Sequence, residues 1–174
     1  EMWSDDTIDA IIVSNKAGLV AFKGKVYIDA TGDGDLAAWS GASFKRGYDE
    51  EGSVQMSSLC FSFANIDSYD YINGPTLYVW KDESTPLYKA VRSGKYPLVD
   101  THFCNNLVGP DVIQCNAGHM TVDTTDPWAI SEAMILGRQK AVQYLEAMKD
   151  VRPSTFSNAF VVKTASLLGV CLLY

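Results

Sequence analysis

The residues best suited to chemistry lie in one short segment, residues 26–37, which reads VYIDATGDGDLA. It combines a β-rich run, a glycine-rich turn and the start of a helix. Gly32-x-Gly34-x-x-Ala37 fits the dinucleotide pattern G-x-G-x-x-G/A after a strand. Glycines there let the backbone approach a pyrophosphate, which a helix N-terminus attracts. One interpretation is therefore an NAD-binding βα unit.

Two acidic side chains in this turn argue against a phosphate site. Asp33 and Asp35 would repel the phosphates that the loop should hold, and the acidic residue expected about 20 positions on falls in the polar loop at 49–51. Carboxylates instead accept hydrogen bonds from ribose or ribityl hydroxyls. A simpler alternative is that Asp33 or Asp35 only caps the short helix, because Asp is a preferred cap.

The ten residues Ile28 to Ala37, IDATGDGDLA, closely resemble a motif of bacterial FAD-dependent oxidoreductases. The turn at residues 15–18, the segment DTTDP at 123–127 and the helix around Gly137-Arg138 are similar to the same family. The resemblance covers nearly the whole chain. It implies FAD as cofactor, oxidoreduction of a small organic substrate, and a soluble protein in the class of dehydrogenases.

The resemblance also implies where ligands bind. Ala30, Thr31 and Gly32 would line the nucleotide, with Asp33, Gly34 and Asp35 nearby. Asn116 and His119 fall on the substrate side, where His119 would act as an acid or base or hold a structural hydrogen bond. No residue is identified as catalytic.

Family members begin with a βαβ unit carrying a glycine-rich pyrophosphate loop, which these 174 residues lack. The expectation is therefore an internal fragment, truncated at both ends, whose FAD is held in the full-length parent. Alone, the fragment is expected to be inactive and to self-associate, because the strand at residues 26–30 lacks neighbours.

The composition limits the partners. The formal net charge is −7 and the basic residues are scattered, which disfavours nucleic acid and an anionic membrane surface. No apolar run approaches the roughly 20 residues that span a bilayer. No secretory signal is visible, and four cysteines without a disulfide spacing indicate the reducing cytoplasm. Export stays open, because the natural N-terminus is not visible.

Two other patterns concern a metal and a carbohydrate. His102-x-Cys104 and Cys115-x-x-x-His119 could each chelate a metal, but their spacing matches no common zinc module, so no metal is predicted. The segment 67–97 is rich in aromatics, which supports an alternative function as a non-catalytic carbohydrate-binding or interaction module. Those aromatics are Tyr69, Tyr71, Tyr78, Trp80, Tyr88 and Tyr96.

Periodicity and turn residues predict the elements. The strands are expected at 8–13, 19–22 and 25–30 as an antiparallel meander, then at 56–66, 98–103, 112–116 and 159–162. Short helices are expected at 36–39, 77–80 and 87–92. The longest helix is expected at 127–149, with Asp126 as N-cap and Pro127 at its first position. Its apolar stripe is Ile130, Ala133, Met134, Gly137, Ala141, Leu145 and Met148, with Lys140 on the polar face.

These elements predict an α+β fold belonging to a two-domain flavoprotein. Residues 1–50 would form part of the FAD domain, with the meander and one βα edge. Residues 51–125 would form an inserted substrate-side region. Residues 126–174 would return to the FAD domain through the long helix and a final strand.

Overall fold

A computed structural model describes residues 7–45, 47 and 52–170. Helices and antiparallel strands both occur in this part of the chain, so the predicted α+β class is confirmed. The chain divides into two compact units, one ending at Val54 and the other beginning at Gln55. None of the described helices has the length and apolar character needed to cross a membrane.

The first unit contains a β-hairpin. Strand β1 (Ile11–Asn15) pairs antiparallel with β2 (Gly18–Phe22), and Asn15 lies opposite Gly18. The Asn15 side chain accepts the Ala17 N–H at 2.8 Å, and Gly18 adopts the positive φ of 100° that the turn requires. The predicted hairpin is confirmed.

The third strand predicted at residues 25–30 is wrong. No described strand pairs with this segment, and Val26 and Ile28 are 77% and 84% exposed. An apolar alternation becomes a strand only when a neighbour accepts its backbone hydrogen bonds. The predicted meander is therefore a two-stranded hairpin followed by an irregular segment, which leads to helix α1 (Asp35–Trp39).

The second unit is built on a four-stranded antiparallel sheet. Its strands are β3 (Phe61–Ala64), β4 (Phe103–Gly109), β5 (Val112–Ala117) and β6 (Phe160–Thr164), in the order β4-β5-β3-β6. The strand predicted at 56–66 is thus shorter, because Ser57 and Ser58 form only isolated bridges to Met120 and Gly169. The strand predicted at 98–103 begins only where it was expected to end.

Four helices lie in the part of this unit that the structure describes: α2 (Ser68–Asn73), α3 (Pro86–Arg92), α4 (Pro127–Val151) and α5 (Pro153–Phe156). The helix predicted at 77–80 is wrong. The chain is helical earlier, in α2, where the Asp67 carboxylate caps the Asp70 N–H at 2.8 Å. The predicted start of α4 is confirmed: Asp126 accepts the Trp128 N–H at 2.9 Å, and Pro127 occupies the first turn.

Helix α4 supplies one side of the core. Its predicted stripe is buried at Ala133, Gly137, Ala141 and Met148, and the prediction missed Tyr144 and Ala147. Side chains of the sheet pack in one cluster with this helix and with Phe156 of α5, among them Phe61, Phe63, Phe103 and Ile113. A smaller cluster joins Leu59, Met120, Ala133 and Leu168.

The prediction that Lys140 lies on an open polar face is wrong. It is half-buried, and its ammonium donates to the Leu98 carbonyl at 3.0 Å. Its aliphatic stem covers Gly118, where an added Cβ would lie 3.0 Å from Lys140 Cδ. Long cationic side chains bury their stems in this way while the charge reaches a polar group.

Candidate functional site

The glycine-rich turn before α1 is organised by the side chains of Asp29 and Thr31. Asp29 Oδ1 accepts the Thr31 N–H at 3.0 Å and the Thr31 hydroxyl at 2.7 Å, and Asp29 Oδ2 accepts the Ala37 N–H at 2.9 Å. Thr31 Oγ1 in turn accepts the Gly34 N–H at 3.1 Å. These hydrogen bonds, led by that of the Thr31 hydroxyl, lower the pKa of Asp29. The turn is therefore fixed by local hydrogen bonds.

The prediction that Asp33 or Asp35 caps this helix is wrong. Gly34 occupies the N-cap position with φ 65° and has no side chain to cap the helix. Neither Asp33 nor Asp35 accepts a helix N–H within the described residues. Asp29 satisfies a helix N–H from eight residues upstream instead. The sequence signal for this role is Asp29-x-Thr31, because Asp side chains hydrogen-bond the backbone two residues on.

A concavity of about 250 Å³ opens beside the turn. It is lined by Thr31, Gly32, Asp33, Gly34, Ala37, Ala38, Ala42, Ser43 and Phe44. Four of the six predicted cofactor residues thus come together there, whereas Ala30 and Asp35 are exposed and outside the lining. Sequence reasoning missed Ala42, Ser43 and Phe44. Ligand pockets typically hold roughly 300–1,000 Å³, so this concavity suits part of a dinucleotide.

Gly32 lies in this concavity and leaves room for a ligand. An added Cβ would meet nothing within 4 Å, and the residue avoids the left-handed backbone region. Neither the fold of this turn nor its packing therefore requires glycine at position 32. An open space beside a backbone with no side chain is what a close-approaching ligand needs.

The donors and acceptors at the turn suit hydroxyl groups. Within the described residues, the Asp33 and Asp35 carboxylates accept no hydrogen bond, and the Gly32 and Asp33 N–H groups donate none. Carboxylates accept from ribose or ribityl hydroxyls, while the two amides can donate to a ligand oxygen. A pyrophosphate gains little beside two carboxylates. The arrangement therefore fits the sugar portion of a dinucleotide.

The two substrate-side residues have different partners in the second unit. Asn116 Oδ1 accepts the Ser58 hydroxyl at 2.6 Å. The backbone N–H of His119 donates to Asp100 Oδ2 at 2.8 Å, and its ring lies against the His102 ring, tilted by 31° with centroids 3.9 Å apart. Burial, followed by the neighbouring His102, lowers the pKa of His119. Sequence reasoning missed Asp100, which joins the two histidines.

The structure does not assemble a metal site from the four possible zinc ligands, His102, Cys104, Cys115 and His119. In the β4–β5 pairing, Cys104 lies opposite Asn116 and Cys115 lies opposite Asn105, so the two thiols point to different faces. Cys115 is fully buried and Cys104 is exposed. No group of three or more ligating side chains converges within the described ranges.

Most aromatics of the segment 67–97 are engaged by the protein itself. Tyr71 donates to Asn105 at 2.6 Å, Tyr96 donates to Asp150, and Tyr78 stacks with Tyr88 at 6.1 Å. Only Tyr69 and Trp80 of the six are exposed. These contacts favour packing over a sugar-stacking platform.

In a comparison with protein families, a family model described as FAD dependent oxidoreductase matches residues 1–170. Searches of curated proteins and of solved structures gave no match. FAD contains the ribose and ribityl hydroxyls that the turn at Gly32 and Asp33 suits. The chain therefore belongs to the family of FAD-dependent oxidoreductases, whose cofactor is FAD.

Proposed function

We propose that the turn at residues 30–35 forms one wall of the FAD site of an enzyme that oxidises a small organic substrate. When bound, FAD accepts a hydride or electrons from that substrate. The concavity at Gly32 carries this proposal, because the Gly32 and Asp33 N–H groups and the Asp33 carboxylate have no hydrogen-bond partner within the described residues.

In this proposal the residues of the turn have different roles in binding FAD. The Gly32 and Asp33 N–H groups donate to ligand oxygens, and the Asp33 carboxylate accepts from a sugar hydroxyl. Asp29 holds the turn in shape through its hydrogen bonds to Thr31 and Ala37, and Thr31 also lines the concavity. Ala30 and Asp35 flank the site, and Asp35 is exposed for a second hydroxyl.

The substrate side of the proposed enzyme includes Asn116 and His119. Burial and the neighbouring His102 lower the pKa of His119, which favours the neutral ring, the form that can accept a proton from a substrate. Residues 1–50 would then serve the cofactor, residues 51–125 the substrate, and residues 126–174 the return to the cofactor domain.

Two finer assignments follow from the sequence. The IDATGDGDLA segment supports a bacterial dehydrogenase branch of the family. Cys60, Cys104 and Cys115 are free thiols, which supports a reducing compartment such as the cytoplasm.

Anaerobic flavin bleaching tests this function. The natural protein that contains this sequence is purified with its flavin and mixed with small hydroxy acids, amines and carboxylates. We expect at least one compound to reduce the flavin, and His119→Asn to slow that reduction by about 100-fold or more at unchanged flavin content. If no compound bleaches the flavin, the proposed oxidation of a small organic substrate is wrong. If the flavin of His119→Asn is bleached at the wild-type rate, the assignment of His119 is wrong.

A further inference from the structure

The second unit contains a concavity of about 430 Å³, lined by residues of the segment 75–89 and of the junction between α4 and α5 at 151–154. Sites for small molecules typically hold roughly 300–1,000 Å³, so it has room for one. None of its lining residues lines the concavity at Gly32, and neither Asn116 nor His119 is among them. It is a separate candidate site, which we call the proline cavity.

The wall of the proline cavity is largely apolar. Two of its prolines, Pro86 and Pro153, occupy the first turns of α3 and α5, where a helix leaves its N–H groups unpaired. Proline has no N–H to offer, so these rings present carbon atoms to a ligand. The apolar members of the lining are Pro75, Val79, Pro86, Val151 and Pro153. A ligand that fills this cavity therefore needs an apolar body.

Lys89 is the cation of this lining that is free to bind a ligand. The other cation, Arg152, is 4% exposed and is bonded to the Asp70 carboxylate and the Pro75 carbonyl. Its charge is therefore matched inside the protein. The Lys89 side chain is exposed, and its ammonium makes no hydrogen bond or ion pair within the described residues. All three of its N–H donors are available to a ligand.

Asp82 supplies a negative charge to the same cavity. Its Oδ1 accepts the Ser84 N–H at 2.9 Å and the Ser84 hydroxyl at 2.7 Å, which fixes the carboxylate in place. Its Oδ2 accepts no hydrogen bond within the described residues. Asp82 and Lys89 form no ion pair with each other, although both line the cavity. The cavity therefore holds one unmatched charge of each sign.

We propose that the proline cavity binds a free α-amino acid with an apolar side chain, such as leucine. The carboxylate of the ligand accepts from Lys89, its ammonium donates to Asp82 Oδ2, and its side chain packs on the prolines and valines. A zwitterion matches both charges of the cavity, whereas a simple carboxylate or amine leaves one of them without a partner. This site does not rest on the proposed function.

The test is a binding titration of the natural protein that contains this sequence, measured by saturation-transfer NMR of the ligand under anaerobic conditions. The probes are leucine, 4-methylpentanoate, which lacks the ammonium, and 3-methylbutylamine, which lacks the carboxylate. Glycine, which lacks the side chain, tests the apolar contact. We expect leucine to bind at least about 10-fold more tightly than each of the other three, because each loses a charged hydrogen bond or the apolar contact.

Two variants assign each charge of the ligand to its partner. In Lys89→Met, leucine should bind no more tightly than 3-methylbutylamine, because the carboxylate has lost its donor. In Asp82→Asn, leucine should bind no more tightly than 4-methylpentanoate. The amide oxygen of this variant still accepts the Ser84 hydrogen bonds, so the local structure is kept. Lys89→Arg keeps the charge and should retain leucine binding.

Two exposed residues outside the lining are the matched controls. Lys163→Met removes a lysine of β6, and Glu83→Gln removes the carboxylate that follows Asp82 and pairs with Arg92. Both should leave leucine binding unchanged. No saturable binding of leucine, equal binding of leucine and its two truncated analogues, or unchanged leucine affinity in either Lys89→Met or Asp82→Asn would overturn the site. These affinities do not depend on flavin reduction, so this site and the proposed function fail separately.

Discussion

Asp29 Oδ2 accepts the N–H of Ala37 at 2.9 Å, across eight residues and around the whole glycine-rich turn. The other oxygen of the same carboxylate holds both the N–H and the hydroxyl of Thr31. One side chain outside the turn therefore fixes its shape, which leaves Asp33 and the Gly32 backbone available to a ligand.

Replacing Asp29 should loosen this turn. We expect Asp29→Ala to speed hydrogen exchange of the Ala37 amide, because its acceptor is lost. Asp33→Ala is the control, since the Asp33 carboxylate accepts no hydrogen bond within the described residues. NMR-detected exchange makes the comparison, and equal acceleration in the two variants would contradict the assignment.

The same contact has a definite pH dependence. The pKa of Asp29 is lowered from its usual 3.8 by the Thr31 and Ala37 hydrogen bonds. Its stabilisation is therefore present above pH 3.8 and is lost as the pH falls through the lower folded-state pKa. Hydrogen exchange of the Ala37 amide should be compared between the wild type and Asp29→Ala at each pH, so that the intrinsic pH dependence of exchange cancels. Relative to the variant, the wild type should accelerate only in that acidic range.

The sequence predicted elements wherever a local signal sufficed. Asp126-Pro127 predicted the start of α4, and the Asn15 turn predicted the hairpin. Predictions failed where contacts with residues distant in the sequence determine the structure. Residues 25–30 have the apolar alternation of a strand, but no described strand pairs with them. Lys140 was placed on the polar face because lysine is charged, but its contacts with Gly118 and the Leu98 carbonyl leave it half-buried. Of the site, Thr31 to Gly34 was predictable from the motif, whereas Phe44 and the Asp100 contact were not.

The Tyr144 hydroxyl should contribute measurably to stability. It is buried and hydrogen-bonded to the Asp100 N–H, carbonyl and carboxylate. Tyr144→Phe removes these hydrogen bonds and leaves the Asp100 N–H without its acceptor, so we expect a loss of about 1–3 kcal/mol in the free energy of unfolding. Tyr69→Phe, at a 78% exposed side chain, should change it by less than about 0.5 kcal/mol. Urea denaturation compares them, and similar losses would contradict the buried network.

Gly137 tests the packing of α4 against the segment before β3. Alanine favours a helix by about 1 kcal/mol over glycine. Here, however, the added Cβ would lie 2.5 Å from Leu59 Cβ, which cannot move without its backbone. We expect the clash to prevail, so that Gly137→Ala destabilises by about 1–3 kcal/mol. Glu146→Ala, on the exposed face, should be nearly neutral in the same thermal melts, and stabilisation by Gly137→Ala would show that Leu59 yields.

Arg152 joins α2 to the end of α4. Its guanidinium is 4% exposed and bonds the Asp70 carboxylate and the Pro75 carbonyl. Arg152→Met should cost about 1–3 kcal/mol, because it removes the hydrogen bonds that a buried side chain donates to the Pro75 carbonyl and the Asp70 carboxylate. Arg92→Met should cost about 1 kcal/mol or less, since the Arg92–Glu83 pair is exposed. Equal costs in chemical denaturation would contradict the burial of Arg152.

Flavin retention in two glycine variants of the natural protein tests the FAD site most directly. Gly32 and Gly109 both have open space for a Cβ and both avoid the left-handed region, so valine should leave the fold intact at either position. We predict that Gly32→Val weakens FAD retention by at least about 10-fold, or about 1.4 kcal/mol, while Gly109→Val keeps the full flavin-to-protein ratio. Equal flavin content in the two folded variants would remove the turn at residues 30–35 from the cofactor site.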